Sequence, residues 1–336
     1  MRAIFVIWFV ALATCLDAQD ILLNQFMRCP TYTNPALTGT GKDTLGKPGA
    51  RLASLYRNQW SLPSSNPYRT NFIGYDQKIS DGFGSMGGYF IYDAAGKDGA
   101  FQTTQANVTY SFAIPISKSR LGSLYGLSVG YKNLSVNYAK LRFEDQIDVT
   151  RGVVRKTEEF NRSVSDGIID INAGFVIFNN RGFLGASIHN ITQPKIQFLD
   201  YRNDLILPRF SIILGNKWYL KDSNNLTGTY LQFMSGLFAQ GDQIQLNTSM
   251  NYHWNGMALG IGYRGNKSLQ FRSDAVVLTY LLDIKNFSLY YGFEFTVGSL
   301  RAVAPVSHEI GLQIPLSISP FYRERYRSNG FLQFPM

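Results

Sequence analysis

The chain has 336 residues, of which 45% are hydrophobic, 14% aromatic and only 16% charged, where soluble domains carry about 25% charge. The net charge is +9, but the basic residues are scattered and no nucleic-acid-binding module is visible, which argues against a nucleic-acid partner. No segment beyond the start is apolar over the ~20 positions a membrane-crossing helix needs. Many aromatics and 31 glycines therefore point to strands and tight turns.

Residues 1–18 read as a secretory signal peptide. Arg2 is the basic start, Ala3 to Leu16 the apolar core, and Leu16-Asp17-Ala18 the cleavage site, leaving Gln19 as the first mature residue. The rival reading is a lipoprotein leader with Cys15 as the lipidated residue, although Thr14 is a poor residue just before it. In either case the chain is exported. With Cys15 gone, Cys29 stands alone, so no internal disulfide is expected and Cys29 reads as a small buried residue.

Residues 19–39 do not alternate. They open with a short apolar run and reach a turn signal at Asn34-Pro35. Residues 40–48 are rich in Gly, Lys, Asp and Pro and form a loop, so 19–48 is taken as a non-barrel segment. Strand rhythm then begins at Ala50–Trp60 and continues through Asn66–Lys78, Gly84–Asp93, Ala100–Ile114 and Gly122–Asn137. In the last of these, Tyr125, Leu127, Val129 and Tyr131 share one face, with Gly126, Ser128 and Gly130 opposite.

Leu141–Val164 is the most charged stretch and reads as the longest loop, solvated on one side of a membrane. Strands resume at Asp166–Phe178 and Phe183–Ile191, with a second loop over Thr192–Leu205. Leu207–Lys221, Leu226–Phe238, Asp242–Tyr252, Gly256–Arg264 and Arg272–Asp283 follow. The clearest strand is Asn286–Val297, where Phe287, Leu289, Tyr291, Phe293, Phe295 and Val297 form one unbroken apolar row. His308–Leu316 is the last.

About fourteen strands of roughly 9–14 residues, with short turns alternating with longer loops, fit one closed antiparallel transmembrane β-barrel over residues 49–316. A soluble sandwich or propeller is the alternative; it would have to pack the rows of Gln, Asn, Ser and Gly that face away from the apolar rows. Residues 317–336 follow the last strand as a short C-terminal extension, either a tail or an additional strand.

Little chemistry is expected. The three histidines have no metal-ligand spacing, and no HExxH or CxxC is present. Ser187 and His189 share one side of a strand, about 7 Å apart by strand geometry, too far for a nucleophile–base contact. Asp166 and Asp170 read as lumen charges, and Gly84-Ser85-Met86-Gly87-Gly88 lacks the Lys and helix of a phosphate loop. No catalytic residue, cofactor or metal is assigned.

The chain resembles the PorP/SprF-like outer-membrane proteins of the type IX secretion system. Asn24-Gln25-Phe26-Met27 followed by Thr33-Asn34-Pro35-Ala36-Leu37-Thr38-Gly39 is similar to that family's opening. Tyr56-Arg57-Asn58-Gln59-Trp60 matches its Y-R-x-Q-W hallmark, and Tyr75-Asp76-Gln77-Lys78-Ile79 a further element. Phe183–Pro194, Gly260–Arg264 and Ser307-His308-Glu309-Ile310-Gly311-Leu312 resemble its later strands.

The resemblance implies a non-enzymatic, multi-pass barrel in the outer membrane of a Gram-negative bacterium. Its implied partners are type IX components and a large secreted surface protein, such as a gliding adhesin, with a C-terminal targeting domain. The implied role is export or surface attachment of that client. Asn34, Pro35, Tyr56, Arg57, Gln59, Trp60, Asp76, His308 and Glu309 are the candidate structural or partner contacts. Within this picture, residues 19–39 are a candidate lumen occupant or periplasmic contact, pinned by Arg57, Gln59 and Trp60. In the plainer reading Trp60 is an interfacial anchor and Arg57 a lumen charge. The alternative function is a passive porin or hydrophobic-solute channel, which should conduct; a barrel hydrolase would lose esterase activity on His189→Ala.

Overall fold

The computed structural model describes residues 20–41, 49–62, 68–80, 83–116, 121–141, 147–148, 152–153, 163–199, 202–220, 228–267, 272–284, 286–302 and 305–316. The signal peptide expected over 1–18 and the extension 317–336 lie outside them.

Fourteen antiparallel strands close into one barrel. In chain order they are β1 (Ala50–Leu62), β2 (Tyr68–Ser80), β3 (Gly84–Ala95), β4 (Phe101–Pro115), β5 (Gly122–Asn137), β8 (Ser163–Phe178), β9 (Gly182–His189), β12 (Arg209–Tyr219), β13 (Tyr230–Gln240), β14 (Gln243–Trp254), β15 (Met257–Lys267), β16 (Arg272–Ile284), β17 (Phe287–Thr296) and β18 (Val306–Leu316). Each pairs with its neighbours in the barrel, and β1 closes the ring on β18 with Arg57 opposite Glu309. Closure leaves no unpaired edge in the lipid.

The period of two decides which side chain goes where. On β17, Leu289, Tyr291 and Phe295 face outward and are exposed, whereas Tyr290, Glu294 and Thr296 are buried inside. Outward rows elsewhere are equally apolar: Val108, Tyr110, Phe112 and Ile114 on β4, and Leu127, Val129 and Tyr131 on β5. An apolar belt around the whole barrel is what a bilayer requires.

The two ends of the barrel differ. Ala50 and Leu316 lie at one end, together with short turns such as Asn255-Gly256, where both residues have positive φ as a two-residue hairpin turn demands. Asn137, Ser163, His189 and Arg209, which flank the long connections 138–162 and 190–208, lie at the other. In barrels of this kind the short turns face the periplasm and the long loops the exterior.

Both long loops contain structure that their sequence did not announce. The charged stretch holds a minimal strand pair, β6 (Ile147–Asp148) with β7 (Gly152–Val153), and β8 starts at Ser163, three residues before the alternation becomes clear. The second loop contains the hairpin β10 (Lys195–Leu199) with β11 (Arg202–Leu205). Ile196 and Ile206 beside it are buried with Ile168 of β8, and Leu134 of β5 packs against the group. The hairpin thus folds back onto the barrel wall.

Candidate functional site: a lumen filled by the N-terminal segment

The interior of a barrel this wide needs occupants for its polar rows. Residues 20–41 are that occupant. Without alternation they cannot join the sheet, and they fold instead into a chain of short turns: a 3-10 turn at Phe26–Arg28, one helical turn at Pro30–Thr33 and another 3-10 turn at Pro35–Leu37. The Asn34 side chain accepts from the Ala36 N–H at 2.9 Å, and Thr38 Oγ1 donates to the Pro35 carbonyl. Tyr32 reaches back to the Ile21 carbonyl at 2.6 Å. We refer to this unit as the plug.

Two apolar patches hold it. Phe26, Met27, Ala36 and Leu37 are buried with Leu124, Val176, Phe178, Phe183, Ile213, Met234 and Phe238 of the wall. Leu23, Cys29 and Tyr32 are buried with Ala53, Leu55, Phe72, Tyr89 and Ile91. An open aqueous channel would not line its inner wall with such residues. Two inward glycines let the backbones meet. A Cβ on Gly126 would lie 2.2 Å from Ala36 N and Pro35 C, and one on Gly174 would lie 1.9 Å from Asn34 Oδ1. The Asn34 amide then reaches the Ala186 carbonyl at 3.1 Å.

Charged groups clamp the plug along its length. At one end Asp20 meets Lys132 Nζ at 2.6 Å, the Asn190 amide at 2.7 Å and Arg209 at 3.7 Å. Arg209 also donates to Tyr32 Oη at 2.8 Å and stands 4.8 Å from that ring. Burial opposes ionisation of Asp20, but Lys132 and Arg209 outweigh it and hold the carboxyl well below the usual carboxylate range. In the middle, Arg57 donates to the Leu22 carbonyl and pairs with Glu294 at 3.2 Å and Glu309 at 3.9 Å. Glu309 accepts the backbone N–H groups of Asn24 and Gln25 at 3.1 and 2.9 Å. Glu294 accepts from the Asn24 amide and from Arg264. At the other end Asp76 accepts the Gly39 N–H at 2.6 Å and the Arg51 guanidinium at 2.8 and 2.9 Å.

The residues singled out from the sequence are distributed as follows. Asn34 and Pro35 sit in the plug, and Arg57, Asp76 and Glu309 bond it. Tyr56 faces outward, 38% exposed. His308 also faces outward, its Nδ1 at 2.8 Å from Tyr291 Oη. Gln59 and Trp60 make no hydrogen bond to the plug among the described residues, so the expected three-residue pin reduces to Arg57. The pairing of β1 with β18 breaks register after Asn58; Trp60, on the outward parity of Tyr56 and Asn58, adopts φ 60° there. Trp60 donates its N–H to Ser307 Oγ and packs edge-on against Tyr68.

A second correction concerns Ser187 and His189. Their side chains lean together and Ser187 Oγ lies 3.4 Å from His189 Nε2, closer than Cα spacing alone suggests. Both atoms are occupied by the plug: the Thr33 carbonyl is 3.1 Å from Ser187 and 3.3 Å from His189. Ser211 Oγ is 2.5 Å from the same hydroxyl. The pair is a seat for the Thr33 carbonyl. Among the described residues no group of three His, Cys, Asp or Glu is placed to hold a metal.

Sequence reasoning missed Asp20, Asn24, Lys132, Arg209, Arg264 and Glu294. The last four were readable as charges at inward positions of otherwise clean strands. Asp20 and Asn24 carried no such mark.

The chain matches the family described as type IX secretion system membrane protein PorP/SprF over residues 16–314. A comparison with curated proteins gives no match. Among solved structures it is similar to the CymD monoaromatic hydrocarbon channel, with TM-score 0.51 and 8% identity, covering 90% of this chain and 95% of that one. It is also similar to the Ralstonia pickettii toluene transporter TbuX, with TM-score 0.47 and 10% identity, covering 86% and 94%. At such identities the likeness to CymD is one of barrel architecture alone. The family match spans nearly the whole barrel and its plug, and the chain belongs to the PorP/SprF family of type IX secretion system membrane proteins of the outer membrane.

Proposed function

We propose that this barrel is a closed, non-enzymatic accessory of the type IX secretion system that takes part in the export or surface attachment of large secreted proteins such as adhesins. The observation that supports this reading is the filled lumen. A plug seated on two apolar patches and clamped at three levels by buried charge leaves a wall and two mouths as working surfaces. Large clients are then handled by docking against the barrel, with the folded lumen as its rigid core.

The channel-like neighbours share the architecture only, and a passive channel is the outcome that counts against the proposal. The test is deletion of the gene in the native host, followed by quantitative proteomics of surface-shaved cells. Loss from the surface of one or a few large proteins with C-terminal targeting domains is the expected result. An unchanged surface proteome combined with slower uptake of small solutes would overturn it.

A further inference from the structure

The plug has a direction. The partners of Asp20 are Lys132, Asn190, Arg209 and Gln240. Asn190 directly follows β9, Arg209 opens β12 and Gln240 closes β13, so three of the four stand at the end of the barrel that carries the long loops. The partners of residues 38 and 39 are Thr109, Ser111 and Asp76, toward the end where β1 begins and β18 stops. The path along β12 from Arg209 to Tyr219 is ten steps of about 3.3 Å, or roughly 25 Å across the membrane at a tilt of about 40°. Residues 20–41 cover that depth.

We infer that the amino end of the mature chain is carried through the lumen and delivered to the outer mouth, facing the cell exterior, while the plug's other end remains joined to β1 at the periplasmic rim. The outer anchorage is built for this placement. Asp20 offers one carboxylate to two cations and an amide on the wall, and its N–H donates to Gln240 Oε1 at 2.8 Å. A terminus left on the periplasmic side would leave Lys132 and Arg209, both buried, without their shared counterion, an expensive arrangement. A direction follows for any rearrangement. Because the inner end is tethered to β1, the plug can leave only by withdrawing its amino end inward, toward the periplasm. The inference does not depend on the accessory role proposed above.

The test is a short hydrophilic epitope inserted directly before Asp20 in the full chain, expressed in the native host. Plug seating is verified by protection of the Cys29 thiol from maleimide in isolated membranes. Intact cells are then treated with an external protease, with a periplasmic protein as the integrity control. Removal of the epitope from intact cells, with the control untouched, is the expected result. An epitope reached only after the outer membrane is permeabilised overturns the inference. If the insertion exposes Cys29, a single cysteine inserted before Asp20 in a Cys29→Ser background replaces it. Labelling of that cysteine by an impermeant maleimide is read in the same way.

Discussion

Gly126→Ala should loosen the plug without harming the barrel. The added Cβ would stand 2.2 Å from Ala36 N and Pro35 C, well inside van der Waals contact. Neither atom belongs to a flexible side-chain tip, so the plug backbone or β5 must shift by more than an ångström. β5 is held on both sides by long ladders to β4 and β8, so the plug yields. Overpacking of this kind costs about 1–3 kcal/mol, which corresponds to roughly a 5- to 150-fold rise in the unseated population. Cys29 reports that population directly. It is fully buried in the plug, and it is the only cysteine beyond Cys15. Maleimide labelling of Cys29 should quicken by that factor, while heat-modifiable migration of the barrel on gels stays as in the unaltered protein. Leu127→Ala, on the lipid face of the same strand, should label at the original rate. If Gly126→Ala also labels at the original rate with an intact barrel, the close approach of plug and β5 is not what seats the plug.

Three other outcomes follow from the same geometry. Arg57→Ala should expose residues 20–41 to protease, because it leaves Glu309 without its ion-pair partner and Glu294 with Arg264 alone; breaking a buried pair costs about 3–5 kcal/mol. Arg57→Ala with Glu309→Gln should be milder than Arg57→Ala by itself, since the stranded charge is then removed. The Asp20 clamp should be insensitive to pH between about 8 and about 5: a carboxyl whose folded pKa is depressed contributes fully above its unfolded value and loses that contribution only as pH falls through the folded one. Protease protection of the plug across that range checks this, and Asp20→Asn should weaken protection at every pH in it. Removal of residues 20–41 should turn a barrel that conducts little in planar bilayers into one that conducts steadily. A full-length protein that already conducts as freely as the truncated one would contradict the sealed lumen.

The barrel was legible because its physics is local. Each strand reports its own faces through a period of two, as Phe287 to Val297 does, and the bilayer enforces that period on every strand. The plug was not legible in the same way. That residues 19–39 lack alternation marks them as outside the sheet, but which wall they lean on depends on contacts spread from 35 to 285 residues along the chain. The inward apolar residues Phe183, Phe238 and Met234 break the polar lumen pattern, and they were the available sign that something dry sits inside. Gln59 and Trp60 sit at a break in register that the sequence pattern does not show, and Trp60 has the outward parity of an interfacial residue. The separation of Ser187 and His189 was overestimated because an imidazole reaches farther than strand spacing implies.

The register of the closing seam has a bearing on assembly. Arg57 on the first strand and Glu309 on the last are direct partners across the junction of β1 and β18, and both grip residues 22–25. β1 and β18 are the two ends of the sheet that closes into the ring, so these two halves of one clasp meet only when the cylinder shuts. A hoop is therefore fastened around its own filling. A cylinder that shut empty would keep the Arg57–Glu309 pair but lose its bonds to the Leu22 carbonyl and to the N–H groups of Asn24 and Gln25. The contacts of Arg57 and Glu309 with residues 22–25 are therefore completed only where the first and last strands of the ring meet.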